Sequence, residues 1–319
     1  MNFKIIGTGS RVPKLSVDNN KLSEFLDTSD EWIVSRTGIR ERRVCTDETL
    51  TELSVGAAQR AVENAGIRVE DLDLILCSTI AGDFFTPSLA CVVQRALGAS
   101  CPAVDLNAAC SGFIYALDIA DSYFSSGKVK NVLIVSAEEM SKMVDWKDRA
   151  TCVLFGDGAA AVVLTQGESL LSIKLSARGG TEVLRIPTIQ GNSPFRPKNR
   201  EVRTSSLYMN GQEVYKFAVS SAGNDIAEVI QRAKVKIENI AYFILHQANY
   251  RIVETIMKKL KQPREKFPMV IQKYGNTSSS CVPIMLDEMN RGGKLKRGDL
   301  LVISAFGGGL TTGACVLRW

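Results

Sequence analysis

The stretch VLIVSA, residues 132–137, decides the fold because a close copy of it, LLVISA, recurs at residues 300–305. The two copies are 300 − 132 = 168 residues apart. Two more pairs of segments share this offset: VEDLDLIL at 69–76 with IENIAYFI at 237–244, and NAACSG at 107–112 with GNTSSS at 275–280. One such match would mean little, but three matches in one register predict a duplicated unit.

Strand-like and helix-like segments alternate along both copies. Near-continuous aliphatic runs predict strands covered on both faces, at residues 74–79, 131–136, 243–245 and 300–304. Amphipathic spacing predicts helices at residues 51–65 and 221–233. FGDG at 155–158 matches FGGG at 306–309 at the shorter offset 306 − 155 = 151, so we expect an insertion near residues 138–154. The sequence therefore predicts an α/β fold of two similar halves, residues 1–166 and 167–319.

The composition is that of an ordinary globular protein, with 45% hydrophobic and 23% charged residues among 319. No apolar run approaches the roughly 18 residues of a membrane span, and the N-terminal run is too short for a signal peptide. We therefore expect a cytoplasmic protein without a membrane partner. The net charge of +5 favours anionic ligands or an acidic protein over nucleic acid. Eight cysteines without a Cys-x-x-Cys pair and a single histidine argue against a metal site.

Cys110 lies in LNAACSGFIYALDIA, where small residues follow a strand-like lead and precede helical spacing. A cysteine near a helix N-terminus meets unpaired amides and the positive end of the helix dipole, which favour a thiolate. The small neighbours would also let a substrate backbone approach closely. The competing interpretation is a small packed cysteine.

His246 is the only histidine, and it follows an apolar run directly. The duplication places it at the same end of the shared core as the Cys110 loop, together with Asn276 of YGNTSSSC. The glycine-dense segment FGGG, 306–309, can aim backbone amides at a developing negative charge. A structural histidine, a turn asparagine and a tight glycine turn are the alternatives.

Together these segments resemble the β-ketoacyl-acyl-carrier-protein synthase III family of the thiolase superfamily, which begins type II fatty-acid synthesis. The resemblance runs from end to end and rests on six motifs: TSDEWIVSRTGIRERR (28–43), NAACSGF (107–113), FGDGAAA (155–161), LHQAN (245–249), YGNTSSS (274–280) and FGGGLTTG (306–313). It implies a thiolase-like, duplicated five-layer α-β-α-β-α fold and a homodimer. It also implies acyl-CoA and malonyl-acyl-carrier protein as partners, with coenzyme A thioester as substrate and no cofactor or metal.

The resemblance also implies roles for individual residues. Cys110 is the acylated nucleophile, His246 and Asn276 are its partners, and the amides of Cys110 and Gly308 form the oxyanion hole. The positions that match coenzyme A contacts are Thr28, Trp32, Arg36, Arg149, Gly211, Asn249 and Arg251. Trp32 and Arg149 would sandwich the adenine; read by pattern alone, the same segment predicts an ordinary helix capped by Thr28.

Two further assignments concern specificity and docking. In the family, the residue before Pro87 crosses the dimer interface and forms the floor of the partner's acyl pocket. Here that residue is Thr86, which predicts a pocket deep enough for longer or branched primers. The exposed-looking basic residues Arg251, Lys258 and Lys259 are either a solvated face or a contact for the acidic carrier protein.

The implied reaction is a decarboxylative Claisen condensation that gives a 3-ketoacyl-acyl-carrier protein, coenzyme A and carbon dioxide. It needs two neutral hydrogen-bond donors at the enolate oxygen, which an imidazole and a carboxamide supply. Elongating ketoacyl synthases pair their cysteine with two histidines, so the single histidine excludes them. The alternatives left open are a starter-unit condensing enzyme of polyketide or secondary metabolism, and a cysteine hydrolase of coenzyme A thioesters.

Overall fold

Two larger β-sheets organise the protein in the computed structural model, which describes residues 2–188 and 206–319. The strands are β1 Asn2–Arg11, β2 Ser16–Asp18, β3 Glu41–Arg43, β4 Leu74–Ser78, β5 Ala103–Leu106, β6 Asn131–Glu139, β7 Asp157–Gly167, β8 Leu170–Ala177, β9 Leu184–Arg185, β10 Tyr208–Met209, β11 Ile240–Leu245, β12 Leu300–Gly307 and β13 Thr311–Arg318.

Helices connect and cover these strands. The α-helices are α1 Asn19–Ser23, α2 Asp30–Thr37, α3 Leu50–Ala65, α4 Leu89–Leu97, α5 Gly112–Ser125, α6 Gly211–Ala233, α7 Tyr250–Leu260, α8 Ile271–Tyr274 and α9 Cys281–Arg291. Short 3-10 helices lie at Val69–Asp71, Ala109–Ser111, Met140–Lys142, Ile237–Asn239, Arg264–Lys266 and Ser278–Ser280. No helix in the described part of the chain combines the length and apolarity that crossing a bilayer requires.

The two larger sheets have matching strand orders. The first runs β1-β7-β6-β4-β5, and the second, read from its β8 edge, runs β8-β13-β12-β11. In each, two neighbouring strands are parallel, β4 with β6 and β11 with β12, and the next strand is antiparallel. Helices α5 and α9 both pack in the core between the two sheets.

The sheets stack with helices on both sides and between them. Alternate residues of one strand serve different layers: Leu74 and Leu76 of β4 pack on α5 and α9 in the middle, whereas Ile75 and Cys77 pack outward on α3 and α4. The outer face of the second sheet is covered by α6 and α7. Because both faces of β4, β6 and β12 are covered, these strands are predominantly apolar on both faces. The order of layers is α-β-α-β-α, which confirms the predicted thiolase-like fold class.

Local sequence explains where α3 begins and ends. Thr49 accepts a hydrogen bond from the Glu52 amide, and the Glu52 carboxylate accepts one from the Thr49 amide, forming a capping box. Gly66 ends the helix in the left-handed conformation, with φ of 67°. The buried face between these signals packs on the first sheet.

The predicted strands and helices are present, with differences at their ends. Helix α6 begins at Gly211, ten residues before the predicted start at 221. Helix α2 is capped by Ser29, whose side chain accepts from the Trp32 amide, so the expectation that Thr28 caps it was wrong. The division at residues 166 and 167 falls at the end of β7, and the assignment of two halves and of an insertion near 138–154 stays a prediction.

Candidate active site

A cavity of about 1430 Å³ opens where strands β11 and β12 and the turn before α5 end. It collects side chains from both sheets, as sites beyond the carboxyl ends of strands do. The sequence-predicted residues in its lining are Cys110, His246, Asn276, Gly308, Trp32, Arg36, Gly211, Asn249 and Arg251.

Cys110 sits on the 3-10 turn Ala109–Ser111, directly before α5, and is 8% exposed. Ala109 holds this turn with a φ of 47°, which few residues other than glycine adopt. Burial raises the pKa of the Cys110 thiol to about 12, and the hydrogen bond from Ser278 Oγ, 3.3 Å from the sulfur, acts in the opposite direction. Burial dominates, so the thiol is the favoured form at neutral pH. This corrects the expectation that the helix start favours a thiolate.

His246 follows the last residue of β11, and its backbone amide donates to the Ser304 carbonyl at 2.8 Å. The ring is 1% exposed and packs edge-on against Phe306 at 5.1 Å between centroids. Burial lowers the pKa of His246 to about 3, so the imidazole is neutral at physiological pH.

The other side of this ring meets a second cysteine. His246 Nδ1 lies 2.8 Å from Cys281 Sγ, and the same sulfur accepts from the Gln247 amide at 3.4 Å. Burial raises the pKa of the Cys281 thiol, which keeps its proton. The Cys281 thiol proton can donate to Nδ1, and in that arrangement the ring proton resides on Nε2. His246 can therefore offer an Nε2–H donor to a ligand.

Asn276 is oriented in a comparable way. Its Oδ1 accepts from the Ser278 amide at 2.9 Å, and its backbone amide donates to the Leu154 carbonyl at 2.8 Å. With its oxygen engaged, the group that the 5% exposed side chain can offer to a ligand is the Nδ2 amide. The site thus combines a thiol with two neutral nitrogen donors.

The glycine segment packs tightly against the turn that carries Cys110. A Cβ on Gly307 would lie 2.7 Å from the Cys110 amide nitrogen, closer than packing allows. Thr311 Oγ1 lies 2.9 Å from the Gly308 carbonyl oxygen and 2.7 Å from Ser111 Oγ, so it joins the two segments. Gly307 and Gly308 are thereby fixed against the turn that carries Cys110.

Two guanidinium groups lie against the indole ring of Trp32. Arg36 lies 4.7 Å and Arg149 5.1 Å from the indole ring, within the range of cation–π contacts. Arg149 is held there by the backbone carbonyl of Asp27 and by its carboxylate. The neighbouring Thr28 Oγ1 is buried and has no hydrogen-bond partner among the described residues. Trp32 and Arg36 thus present a flat ring and a cation at one rim of the cavity, with Arg149 against the indole.

The start of α7 is tied to α2 beneath this rim. Asn249 caps α7 by accepting from the Arg251 amide at 2.9 Å, and its Nδ2 donates to the Arg36 carbonyl at 3.1 Å. The Arg251 guanidinium donates to the Ser35 carbonyl at 2.8 Å. These bonds place Asn249 and Arg251 in the cavity wall.

Several predicted residues lie outside the cavity lining: Thr28, Thr86, Arg149, Lys258 and Lys259. Thr86 is exposed on the loop between β4 and α4 and does not line the cavity of its own chain. Lys258 and Lys259 are exposed in the last turn of α7.

Sequence reasoning assigned no role to Glu138, Ser278 or Cys281, which lie behind Cys110 and His246. Ser278 belongs to the quoted YGNTSSS motif, and Glu138 is an acid that interrupts an apolar run. Nothing in the sequence pointed to Cys281. Within residues 2–188 and 206–319, no group of three or more His, Cys, Asp or Glu side chains could hold a metal ion.

Comparison with known proteins places this geometry in context. A family profile described as 3-oxoacyl-[acyl-carrier-protein (ACP)] synthase III matches residues 104–179, and its C-terminal counterpart matches residues 230–319. A relative named β-ketoacyl-[acyl-carrier-protein] synthase III from Clostridium perfringens (strain SM101 / Type A) is 47% identical, over 99% of this chain and 99% of its own length.

Solved structures give the same result. The crystal structure of 3-oxoacyl-[acyl-carrier-protein] synthase III from Aquifex aeolicus VF5 has a TM-score of 0.92 at 47% identity, over 99% of this chain and 100% of that one. The priming β-ketosynthase from the R1128 polyketide biosynthetic pathway has a TM-score of 0.91 at 32% identity, over 99% and 96% of the two chains.

Proposed function

Because the chain belongs to the 3-oxoacyl-[acyl-carrier-protein] synthase III family, we propose that it catalyses the condensation that initiates fatty-acid synthesis. It is a condensing acyltransferase. An acyl group passes from acyl-CoA to Cys110, and malonyl-acyl-carrier protein then condenses with it. The products are a 3-ketoacyl-acyl-carrier protein, coenzyme A and carbon dioxide.

The observation that carries this proposal is that a neutral imidazole, His246, and a carboxamide, Asn276, line the same cavity as Cys110. When the malonyl group loses carbon dioxide, negative charge develops on its thioester oxygen. Two preorganised N–H donors stabilise that oxyanion without having to give up a proton. The resulting carbanion attacks the acyl-Cys110 carbonyl and forms the new carbon–carbon bond.

The same cavity serves the earlier acylation step. Attack of the Cys110 sulfur on the thioester gives a tetrahedral oxyanion, which the amides of Cys110 and Gly308 receive. Each such donor contributes on the order of 3 kcal/mol in comparable enzymes. The close approach of Gly307 to the Cys110 amide supports this assignment.

Coenzyme A is proposed to enter past Trp32. Its adenine would stack between Trp32 and Arg149, with Arg36 alongside. Thr28 would contact the nucleotide through the hydroxyl that has no partner among the described residues. A ring inserted between two partners needs roughly 7 Å between them, twice the optimal contact distance. The 5.1 Å between Arg149 and the indole therefore has to widen when the nucleotide enters. Gly211, Asn249 and Arg251 would line the route to Cys110.

Two protein partners follow from exposed surfaces. Arg251, Lys258 and Lys259 are exposed cations on α7 close to the cavity mouth, and an acidic carrier protein is proposed to dock on them. A homodimer is proposed through the β5 edge of the first sheet, where Val104 is 50% exposed and Phe85 82% exposed. In that dimer Thr86 of one chain would reach the acyl pocket of the other.

A thioester hydrolase would use the same nucleophile with His246 as a general base. A general base works best with a pKa near the operating pH, whereas burial lowers the pKa of His246 to about 3. Its environment suits a neutral donor better than a base, which favours condensation over hydrolysis.

The test is the fate of both substrates in one reaction. The protein is incubated with acyl-CoA and with malonyl-acyl-carrier protein labelled in the free carboxyl group. We expect labelled carbon dioxide and 3-ketoacyl-carrier protein in equal amounts. Release of the primer as free acid, without labelled carbon dioxide, would instead identify a hydrolase.

A further inference from the structure

Glu138 is a fully buried carboxyl group near the end of β6 that the mechanism above does not use. Its Oε2 accepts from the Ile80 amide at 3.0 Å, and its Oε1 lies 2.7 Å from Ser279 Oγ and 3.1 Å from Ser278 Oγ. A buried carboxylate ordinarily requires a cation as its partner. This one is met by an amide and two hydroxyls, one of which also contacts the nucleophile.

Ser278 bridges Glu138 and Cys110. Its Oγ lies 3.1 Å from the Glu138 oxygen and 3.3 Å from the Cys110 sulfur. A hydroxyl has one proton, so Ser278 can donate to only one of these two atoms at a time. With Cys110 as a thiol, the S–H donates to Oγ and Ser278 donates to the carboxylate. With Cys110 as a thiolate, Ser278 donates to the sulfur, and a protonated Glu138 donates to Oγ.

We propose that Ser278 relays the Cys110 proton to Glu138 when Cys110 attacks, and that Glu138 returns it when Cys110 is expelled. The relay deepens the proposed function and rests on its acyl-Cys110 intermediate. As Cys110 attacks, its proton moves to Ser278 Oγ and the Ser278 proton moves to Glu138 Oε1. The new S–C bond forms, the bond between the acyl carbon and coenzyme A sulfur breaks, and the leaving thiolate takes a proton from solvent.

The second step runs in reverse. The carbanion formed by loss of carbon dioxide attacks the acyl carbon, the bond to the Cys110 sulfur breaks, and Cys110 leaves as a thiolate. Glu138 then gives its proton to Ser278 Oγ while Ser278 gives its own to the sulfur. The thiol and the carboxylate are restored, and no charge accumulates behind the nucleophile.

Among the titratable groups near Cys110, Glu138 is the one that can accept its proton. Burial raises the pKa of Glu138 to about 7, within the range of an effective proton acceptor, whereas neutral His246 is a far weaker base. Cys281 on α9 keeps its proton because burial raises its pKa. The remaining charged neighbours are engaged elsewhere: Glu139 with Lys142 at 2.9 Å, and Asp157 of β7 with Ser141 at 2.6 Å.

The test is the pH dependence of Cys110 alkylation by iodoacetamide, followed on the Cys110 peptide by mass spectrometry between about pH 5 and about pH 10. In the wild type we expect the rate to rise tenfold per pH unit up to about pH 7 and then to level off. Above that pH the pair shares one proton, and the fraction of time it spends on Glu138 does not depend on pH.

Glu138→Gln removes the acceptor. Its alkylation rate should match that of the wild type within about threefold at pH 6, and should continue to rise through pH 7 to exceed it about a hundredfold at pH 9. A purely structural role would lower the rate at every pH. A wild-type profile without a break near pH 7, or a Glu138→Gln profile that keeps the break, would overturn the relay.

Ser278→Ala and Ser279→Ala form a matched pair, because both hydroxyls contact Glu138 but only Ser278 contacts Cys110. Below the break, Ser278→Ala should alkylate about tenfold more slowly than the wild type, since the thiolate loses its donor. Ser279→Ala should keep the wild-type rate there and move the break to higher pH. Equal loss in both variants would contradict the bridge, and this comparison remains available if Glu138→Gln does not fold. The alkylation experiment needs neither acyl-CoA nor carrier protein. It can therefore refute the relay while condensation is intact, and it can support the relay even if condensation is absent.

Discussion

The sulfur of Cys281 lies 2.8 Å from Nδ1 of His246, and both residues are buried. A thiol at this point decides which ring nitrogen carries the proton. When the thiol donates to Nδ1, the ring presents Nε2–H to a ligand. A cysteine that takes no part in bond making therefore determines what the only histidine can do.

His246 should stay neutral as the protein is acidified. Because it is the only histidine, nitrogen-15 histidine labelling gives one set of ring signals, which report the tautomer directly. We expect the Nε2–H form and no titration between about pH 9 and about pH 5, since burial lowers the pKa to about 3. The unfolded chain protonates this ring below about pH 6.5 and the folded one does not, so stability falls as the pH falls from about 6.5 towards 3. A ring that titrates near pH 6.5 would contradict the buried neutral donor.

Cys281→Ser and Cys281→Ala separate the tautomer from packing. Serine preserves a group that accepts from Gln247 and donates to Nδ1, so condensation should fall less than threefold. Alanine leaves Nδ1 without a donor, and we expect a mixture of tautomers and a decarboxylation rate lower by about tenfold. Decarboxylation is measured by carbon dioxide release, and the ring spectrum of each variant shows its tautomer. Equal activity of both variants would show that the thiol contact is dispensable.

Gly307 and Gly308 should respond differently to a methyl group. A Cβ on Gly307 would lie 2.7 Å from the Cys110 amide nitrogen, whereas the nearest atoms to a Cβ on Gly308 lie at 3.6 Å, an ordinary contact. Gly307→Ala should therefore displace the Cys110 amide and lower kcat by a hundredfold or more. Gly308→Ala keeps its amide and should cost less than tenfold. Comparable losses in both variants would contradict the role of the Gly307 contact in placing the oxyanion donors.

Trp32→Ala should weaken binding of coenzyme A thioesters without changing the chemistry. Stacking of a base on an aromatic ring contributes about 1–3 kcal/mol, so KM for acyl-CoA should rise roughly tenfold to a hundredfold. Acyl-N-acetylcysteamine, which lacks the nucleotide, is the control, and its kcat/KM should not change. A similar loss of kcat/KM with both thioesters would show that Trp32 supports the fold of the site and does not bind the nucleotide.

Thr86 should set the length of the acyl pocket across the proposed dimer. We expect the wild type to use butyryl- and isobutyryl-CoA at rates comparable with acetyl-CoA. Thr86→Phe should lower kcat/KM for isobutyryl-CoA relative to acetyl-CoA by about tenfold or more, and Thr86→Ser should leave the ratio unchanged. A wild type restricted to acetyl-CoA would refute the deeper pocket.

Much of the fold could be predicted because its central strands are covered on both faces. Strands β4, β6, β11 and β12 leave continuous aliphatic runs, and their repetition at one offset indicated the duplicated plan before any contact was known. Helix α6 was predicted ten residues too short for a related reason. Its first turns line the cavity with Gly211, Val214 and Tyr215, so they lack the buried face by which a helix is recognised.

The site was predictable only in part. Cys110, His246 and Asn276 fall in distinctive segments, whereas the groups that orient or titrate them are tertiary neighbours. Cys281 meets His246 across 35 residues and Glu138 meets Ser278 across 140, and no local pattern records such a contact. The protonation state of Cys110 could not be predicted from the sequence pattern either, because burial outweighs the hydrogen bond that favours the thiolate.

The central claim is a condensation that passes through an acyl group on Cys110, and mass spectrometry of the intact protein tests it most directly. The protein is exposed to acyl-CoA, weighed, and then treated with malonyl-acyl-carrier protein. We predict one acyl adduct on the wild type and none on Cys110→Ala, with the adduct discharged into 3-ketoacyl-carrier protein. In Asn276→Ala the adduct should form but should persist at least a hundredfold longer after the carrier protein is added. An adduct that survives in Cys110→Ala, or one that leaves the wild type only as free acid, would contradict the account.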